Sequence, residues 1–232
     1  MGTNLVEKLK ANKIVVFEYD TSSIIDDLNF YALQCDFVIH LAGVNRAENP
    51  KEYIKGNIEF TRTLLQTLEK AGNSVPVLFS SSTHVEYDTD YGKSKKVAEG
   101  LIINYSKKFN LKSYIYRLPN LFGKGSRPNR NGVVGTFCYN IANDLPVTIS
   151  DRATQLTLVY IDDLVSELVN AIASKENRIN ETFCAIPKVY QASLGEIVDL
   201  INKFRSGDVI PASMLDFEKA MYETYLSYLS EK

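Results

Sequence analysis

VPVLFSSSTHVEYDTDYGKSKKVAEGLIINYSKKFNLKSYIYRLPN, residues Val75–Asn120, reads as strand, helix, strand. VPVLFSSS (Val75–Ser82) opens it and KSYIYRLPN (Lys112–Asn120) closes it, each an apolar run without clean alternation. Strands covered on both faces of a parallel sheet have that texture, because neither side meets water. Between them YGKSKKVAEGLIINYSKKFN (Tyr91–Asn110) sets Val97, Leu101, Ile102 and Tyr105 along one side of a helix.

The alternation extends in both directions. KIVVFEYD (Lys13–Asp20) and DFVIHLAG (Asp36–Gly43) read as strands, and PKEYIKGNIEFTRTLLQTLEKAG (Pro50–Gly72) as a helix opened by proline and stopped by glycine. Strand and helix in turn predict a Rossmann-like α/β fold with a right-handed, doubly wound parallel sheet. After Gly123 comes a loop rich in Gly, Pro, Asn and Arg, then a helix near Val133–Asn143. A short strand runs into a helix from Asp162, ETFCAI adds a strand, and two helices follow near Leu194–Phe204 and Asp216–Leu229.

At 232 residues the chain suffices for one sizeable α/β domain and is short for two. A net charge of −2 gives no bulk attraction to nucleic acid or an anionic membrane. No apolar run approaches the roughly 20 residues that span a bilayer. The opening residues lack the apolar core of a secretion signal, so a cytoplasmic location is expected. Cys35, Cys138 and Cys184 match no zinc or CxxC spacing and read as buried free thiols, and with two histidines no histidine-based metal site is expected.

In such a sheet, ligands gather at the carboxyl ends of the strands. Four polar stretches fall there: HLAGVNR (His40–Arg46), Ser80–Ser82, Tyr91 to Lys95, and RLPNLFG (Arg117–Gly123). Tyr91 and Lys95 are four residues apart and share a helix face. A nearby ammonium favours a phenolate, so Lys95 is expected to lower the Tyr91 pKa and let it exchange a proton with a carbonyl or hydroxyl. Ser82 could hold the same oxygen. A hydride donor is then the missing reactant, and no side chain supplies one. The competing interpretation of Tyr91 and Lys95 is the polar opening of a surface helix. For His40 a packed strand-end residue is preferred to catalysis. Asn57 is expected to bridge helix and strand, and Asp162 with Asp163 to cap a helix.

These four motifs, in order, resemble the extended short-chain dehydrogenase/reductase family (NAD-dependent epimerase/dehydratases). DFVIHLAGVNR, RLPNLFGKG, GTFCYNIAND, VYIDDLV, LGEIVDL and YETYLSYL resemble, more narrowly, the reductase domain of the CapF-type capsular polysaccharide enzymes. The resemblance implies an NAD(P)H-dependent reductase of the C4 keto group of a UDP-linked deoxyaminosugar, NADPH being the cofactor of that type. It implies Tyr91 as acid/base, Lys95 as the group that holds the nicotinamide ribose and tunes the tyrosine, and Ser82 as the group that aligns the carbonyl. Leu41, Ala42, Gly43 and Pro119 would line the cofactor. Asn120, Arg127, Asn129 and Asn131 would face the nucleotide sugar, and where many relatives carry an arginine that grips its diphosphate this chain has Leu156, so that the role is vacant or falls to Arg152. A homodimer through the helices beginning near Pro50 and Tyr91, and a separate cupin partner, are further implications.

The family begins with a strand and a G-x-x-G-x-x-G turn that cradles the pyrophosphate. Neither occurs in these residues, and MGTNLVEKLKANK resembles the stretch after the turn, with Leu5, Val6 and Leu9 on the buried side of a first helix. The expectation is a single reductase domain over 1–232, N-terminally truncated with the first strand absent. Its cofactor part would run to about residue 123, and a small helical substrate part would occupy about 124–232. The lost strand should lie between KIVVFEYD and DFVIHLAG, which would either close the gap or leave an apolar edge. Asp20 is placed to bind the adenosine ribose, which favours NAD, although DTSS also reads as a helix start. The alternative to an active reductase is a catalytically impaired remnant that binds a nucleotide sugar or a partner subunit.

Overall fold

The computed structural model describes residues 1–130, 132–208 and 214–229. The chain divides into two compact units, one of residues 8–118 and 168–185, the other of residues 1–7, 119–167 and 186 onward.

The first unit is built on a four-stranded parallel sheet. In chain order its strands are β1 (Val38–His40), β2 (Val77–Ser82), β3 (Tyr114–Leu118) and, after two strands of the other unit, β6 (Phe183–Cys184), in spatial order β1-β2-β3-β6. Every residue of β2 is buried, as its unbroken apolar run predicts. A first helix, α1 (Gly2–Ala11), begins in the other unit and enters this one at Lys8; its Leu5 and Leu9 are buried. The sheet is flanked by α2 (Ile25–Ala32), by a composite helix over 50–70, and by α5 (Asp90–Lys108). The composite helix consists of α3 (Pro50–Tyr53), a π-helical stretch (Ile54–Glu59) and α4 (Phe60–Lys70). The core joins Ala32, Leu65 and Leu68 from the helices to Val77, Phe79 and Ile115 of the strands, with Ala98, Ile102 and Tyr105 of α5.

Two expectations are corrected here. KIVVFEYD forms no strand: residues 14–20 pair with no ladder, and Val15 is 82% exposed. A strand persists through its neighbours, and with no strand between this stretch and β1 its β-branched side chains have no ladder to join. Side chains hold it instead, Phe17 stacking on Tyr31 at 4.9 Å and Tyr19 on Phe60 at 5.8 Å. In α5, Val97 does not share the buried side with Ile102 and Tyr105; it is 47% exposed. The buried side carries Ser94, Lys95, Ala98 and Glu99, because the polar residues of the site occupy the first core-facing turns.

The second unit holds a three-stranded sheet of β4 (Asn120–Phe122), β5 (Gln155–Tyr160) and β7 (Tyr190–Ser193), with β4 parallel and β7 antiparallel to β5. α6 (Val133–Ala142), α8 (Leu194–Ser206) and α9 (Asp216–Leu229) pack on one another, while α7 (Ile161–Ile172) follows β5 directly. Ser193 and Glu196 cap α8 reciprocally, at 3.2 and 2.7 Å. Gly207 ends it with a φ of 78°, a left-handed turn that glycine adopts without strain. These helices match the sequence expectation closely. Among the described residues, no helix is long and apolar enough to cross a membrane.

Candidate active site

β2 ends on Ser82, whose hydroxyl accepts the amide N–H of His84 at 3.2 Å and so starts a tight 3₁₀ turn over Thr83–Glu86. Thr89 then caps α5, its hydroxyl accepting the Gly92 amide at 3.0 Å. Gly92 is bare because a Cβ there would lie 2.2 Å from the His84 carbonyl oxygen. This close approach brings Tyr91, in the first turn of α5, within hydrogen-bonding reach of the Ser82 hydroxyl. The Tyr91 ring is half-buried between Tyr53 and His84, each at 5.8 Å between centroids.

The Tyr91 phenol is raised above its ordinary value by burial, with the Ser82 hydrogen bond opposing and Tyr53 adding slightly to the rise. This corrects the expected direction: Lys95 is not among the influences, and the tyrosine is a neutral phenol at neutral pH. Its state suits a proton donor. Lys95 is 4% exposed and its ammonium lies 4.2 Å from the Phe79 ring centroid. Burial lowers its pKa to about 8, and the Glu99 carboxylate pulls the other way.

His40 packs against Phe60 and Phe79, and its Nε2 lies 2.8 Å from the Thr61 hydroxyl. That hydroxyl already donates to the Asn57 carbonyl at 2.6 Å, so Nε2 carries the proton and donates. Burial and the Lys95 charge lower the His40 pKa to about 3, leaving a neutral, packed strand-end residue. Asn57, buried in the π-helical stretch, accepts the Val44 amide at 2.7 Å and donates to the Val44 carbonyl at 2.9 Å and the Ser94 hydroxyl at 2.8 Å. It thereby fixes the chain after β1, where Leu41, Ala42 and Gly43 lie. A Cβ on Gly43 would come within 2.8 Å of the Asn57 Oδ1 and 3.6 Å of the Lys95 Nζ. A bare backbone facing a buried ammonium could hold the nicotinamide ribose of a dinucleotide, Lys95 and the Leu41–Gly43 backbone being the groups that would contact it.

Sequence reasoning missed Glu99, Tyr53 and His84. Glu99 stands one helical turn past Lys95 and accepts from the Ser81 hydroxyl at 2.6 Å and from the Arg117 guanidinium at 2.9 and 2.8 Å. The available signal was spacing: Tyr91, Lys95 and Glu99 recur every four residues.

The remaining residues singled out from the sequence lie elsewhere. The Asp20 carboxylate accepts the Ser22 amide and hydroxyl at 2.8 and 2.6 Å, as a turn-capping acid does. Pro119, Asn120, Arg127, Asn129 and Arg152 belong to the second unit. Asn120 opens β4 exposed, donating weakly to the Thr157 carbonyl at 3.4 Å. Arg127 and Asn129 are exposed on the loop after Gly123, Asn129 with a φ of 58°. Arg152 is engaged by Asp199 at 2.6 Å. Asn131 lies outside the described residues. Asp162 and Asp163 sit in the first turn of α7, and no cluster of metal-ligating side chains occurs among the described residues.

Known proteins are similar to this chain in sequence and fold. The chain is 37% identical, over its whole length, to UDP-2-acetamido-2,6-beta-L-arabino-hexul-4-ose reductase of Pseudomonas aeruginosa. It superimposes on the capsular polysaccharide assembling protein CapF of Staphylococcus aureus with a TM-score of 0.88 and 40% identity over 98% of its length. It spans 63% of the length of each of these relatives. UDP-glucose 4-epimerase of Thermus thermophilus, solved with NAD, covers 98% of the chain and aligns to 95% of its own at a TM-score of 0.78 and 16% identity, a likeness of fold alone. The NAD dependent epimerase/dehydratase family matches residues 1–185. With that match over most of its length, and with a serine closing the second parallel strand and a tyrosine and lysine opening the helix that follows, the chain belongs to the NAD dependent epimerase/dehydratase family.

Proposed function

We propose that the protein is an NAD(P)H-dependent reductase of the keto group of a UDP-linked deoxyaminosugar, acting in capsular or surface polysaccharide synthesis. The observation that carries this is Tyr91 set beside the Ser82 hydroxyl at the end of β2, with the buried Lys95 one helical turn further on. The two relatives of 37% and 40% identity support the choice of substrate class.

A bound nicotinamide supplies the hydride. Ser82 donates a hydrogen bond to the sugar carbonyl and turns its oxygen towards Tyr91. The phenol, neutral because burial holds its pKa up, gives its proton to that oxygen as negative charge develops. Lys95, charged below about pH 8, faces the resulting phenolate and holds the ribose. NADPH is the expected form, and the Asp20 carboxylate is already occupied by Ser22. Asn120, Arg127, Asn129 and Arg152 are assigned to the nucleotide sugar, and substitution of each to alanine should raise KM with little change in kcat. Exposed Val97, near Leu101 on α5, supports pairing of two copies through α4 and α5. A cupin partner is the further component that the family resemblance implies.

The test is oxidation of NADPH with a UDP-4-keto-6-deoxyaminosugar. Tyr91→Phe should lower kcat by roughly 10²–10⁴-fold, the usual worth of a positioned general acid. Equal rates in the two proteins would remove Tyr91 from the mechanism.

A further inference from the structure

Arg117 is exempt from every role above, yet it joins the three elements that set the spacing of Ser82 and Tyr91. It lies on β3 directly beside Ser81 of β2 in the ladder. Parallel neighbours in register project to the same side, and both side chains reach Glu99. The guanidinium grips that carboxylate through Nε at 2.9 Å and Nη2 at 2.8 Å. Its third arm, Nη1, holds Glu86 at 2.9 Å. Glu86 belongs to the 3₁₀ turn that Ser82 starts, while Glu99 lies on the face of α5 that also carries Tyr91 and Lys95. The Phe183 ring backs the guanidinium at 4.4 Å.

We propose that Arg117 is a positioning residue for the reduction: it locks the turn after β2 and the first turns of α5 to β3, and so fixes the Ser82–Tyr91 separation. This rests on the proposed function for the reaction, but the strut itself is a property of the protein without ligand. Glu99 is 3% exposed, a buried charge that the bidentate fork makes tolerable. Lysine cannot reproduce the fork, because an ammonium is a point donor and cannot present two parallel N–H groups while reaching a third acceptor. The groups facing Lys95 are His40 from β1, the Phe79 ring from β2 and Glu99 from its own helix. Arg117 reaches it only through Glu99.

The experiment compares wild type, Arg117→Lys, Arg117→Met and the double variant Arg117→Met/Glu99→Met. Both single variants should lose about 10- to 100-fold in kcat, the scale of a small misplacement of reacting groups, with KM for the sugar changed by less than about threefold. In the protein without ligand, amide exchange over residues 83–92 should accelerate while exchange over 101–108 does not. The double variant removes the buried unpaired charge, so its unfolding midpoint should return to near wild type while kcat stays low. Recovery of kcat together with stability would overturn the proposal and leave a merely structural ion pair. Unchanged exchange over 83–92 in the single variants would overturn it equally. If wild type shows no reductase activity, the functional proposal fails, and the exchange and unfolding arms still decide whether the strut exists.

Discussion

At the residue scale, the chemistry turns on how burial treats each ionisable group. Lys95 has its pKa pulled down from 10.5 to about 8. Between those values the unfolded chain holds the proton and the folded chain does not, so stability rises with pH across that window. The full change is about 3 kcal/mol, from about 1.4 kcal/mol per pKa unit. Lys95→Met should therefore abolish reduction yet raise the unfolding free energy by about 1–3 kcal/mol at pH 7, and flatten its rise between pH 8 and 10. Urea titrations of both proteins at several pH values check this, and a less stable variant would contradict it. Gly43→Ala should act oppositely. Its Cβ would press on an Asn57 oxygen pinned by a hydrogen bond at 2.7 Å, costing about 1–3 kcal/mol and weakening NADPH binding, read by thermal unfolding with and without cofactor. Ser82, Tyr91 and Lys95 could be picked out of the sequence because helical spacing and strand ends are local properties. The direction of the Tyr91 pKa could not, because it depends on burial among Tyr53, His84 and Ser82, residues that only the fold assembles.

At the element scale, β2, β3 and α5 were legible because each owes its form to a continuous pattern. KIVVFEYD has an equally strong pattern and is no strand, since strand formation needs a neighbour that propensity cannot supply. The site-facing side of α5 was obscured for the converse reason. Polar residues fill its innermost positions, and Val97 points outward, so a hydrophobic wheel gives the wrong face. The tightest junction is between α5 and the turn before it. Gly92→Ala would push a methyl against two carbonyl oxygens, at 2.2 and 2.7 Å from the new carbon, and both belong to backbone that cannot swing aside. We expect a loss of about 2–4 kcal/mol in stability and, in whatever folds, a loss of kcat from displacement of Ser82 relative to Tyr91. Chemical denaturation and steady-state kinetics measure the two. A variant with wild-type kcat would show that the close approach is dispensable.

At the scale of the whole molecule, the helical texture after Gly123 foretold α6, α8 and α9, but not that the chain returns after Glu167 to add β6 to the first sheet. ETFCAI was legible as a strand, but local pattern does not say which sheet a strand joins. The first unit also exposes Val15, Ile24 and Leu33 at 82%, 61% and 63%. Apolar groups this open favour self-association. Val15→Lys combined with Leu33→Lys should lower concentration-dependent light scattering and leave the unfolding free energy within about 0.5 kcal/mol of wild type, as surface substitutions do. Undiminished scattering would place the sticky surface elsewhere.

The π-helical stretch carries one more consequence. An i→i+5 loop takes in one residue beyond what an α-turn holds, so Pro50–Tyr53 and Phe60–Lys70 follow two helical wheels offset by about 100°, the angle of a single residue. Deleting Lys55 would let the segment relax to an uninterrupted α-helix. It would also rotate the earlier turns by that angle, swinging Tyr53 off the ring of Tyr91 with no contact residue altered. The spare residue acts as a phase shifter, and evolution by insertion or deletion at this point re-aims one wall of the cleft in a single step.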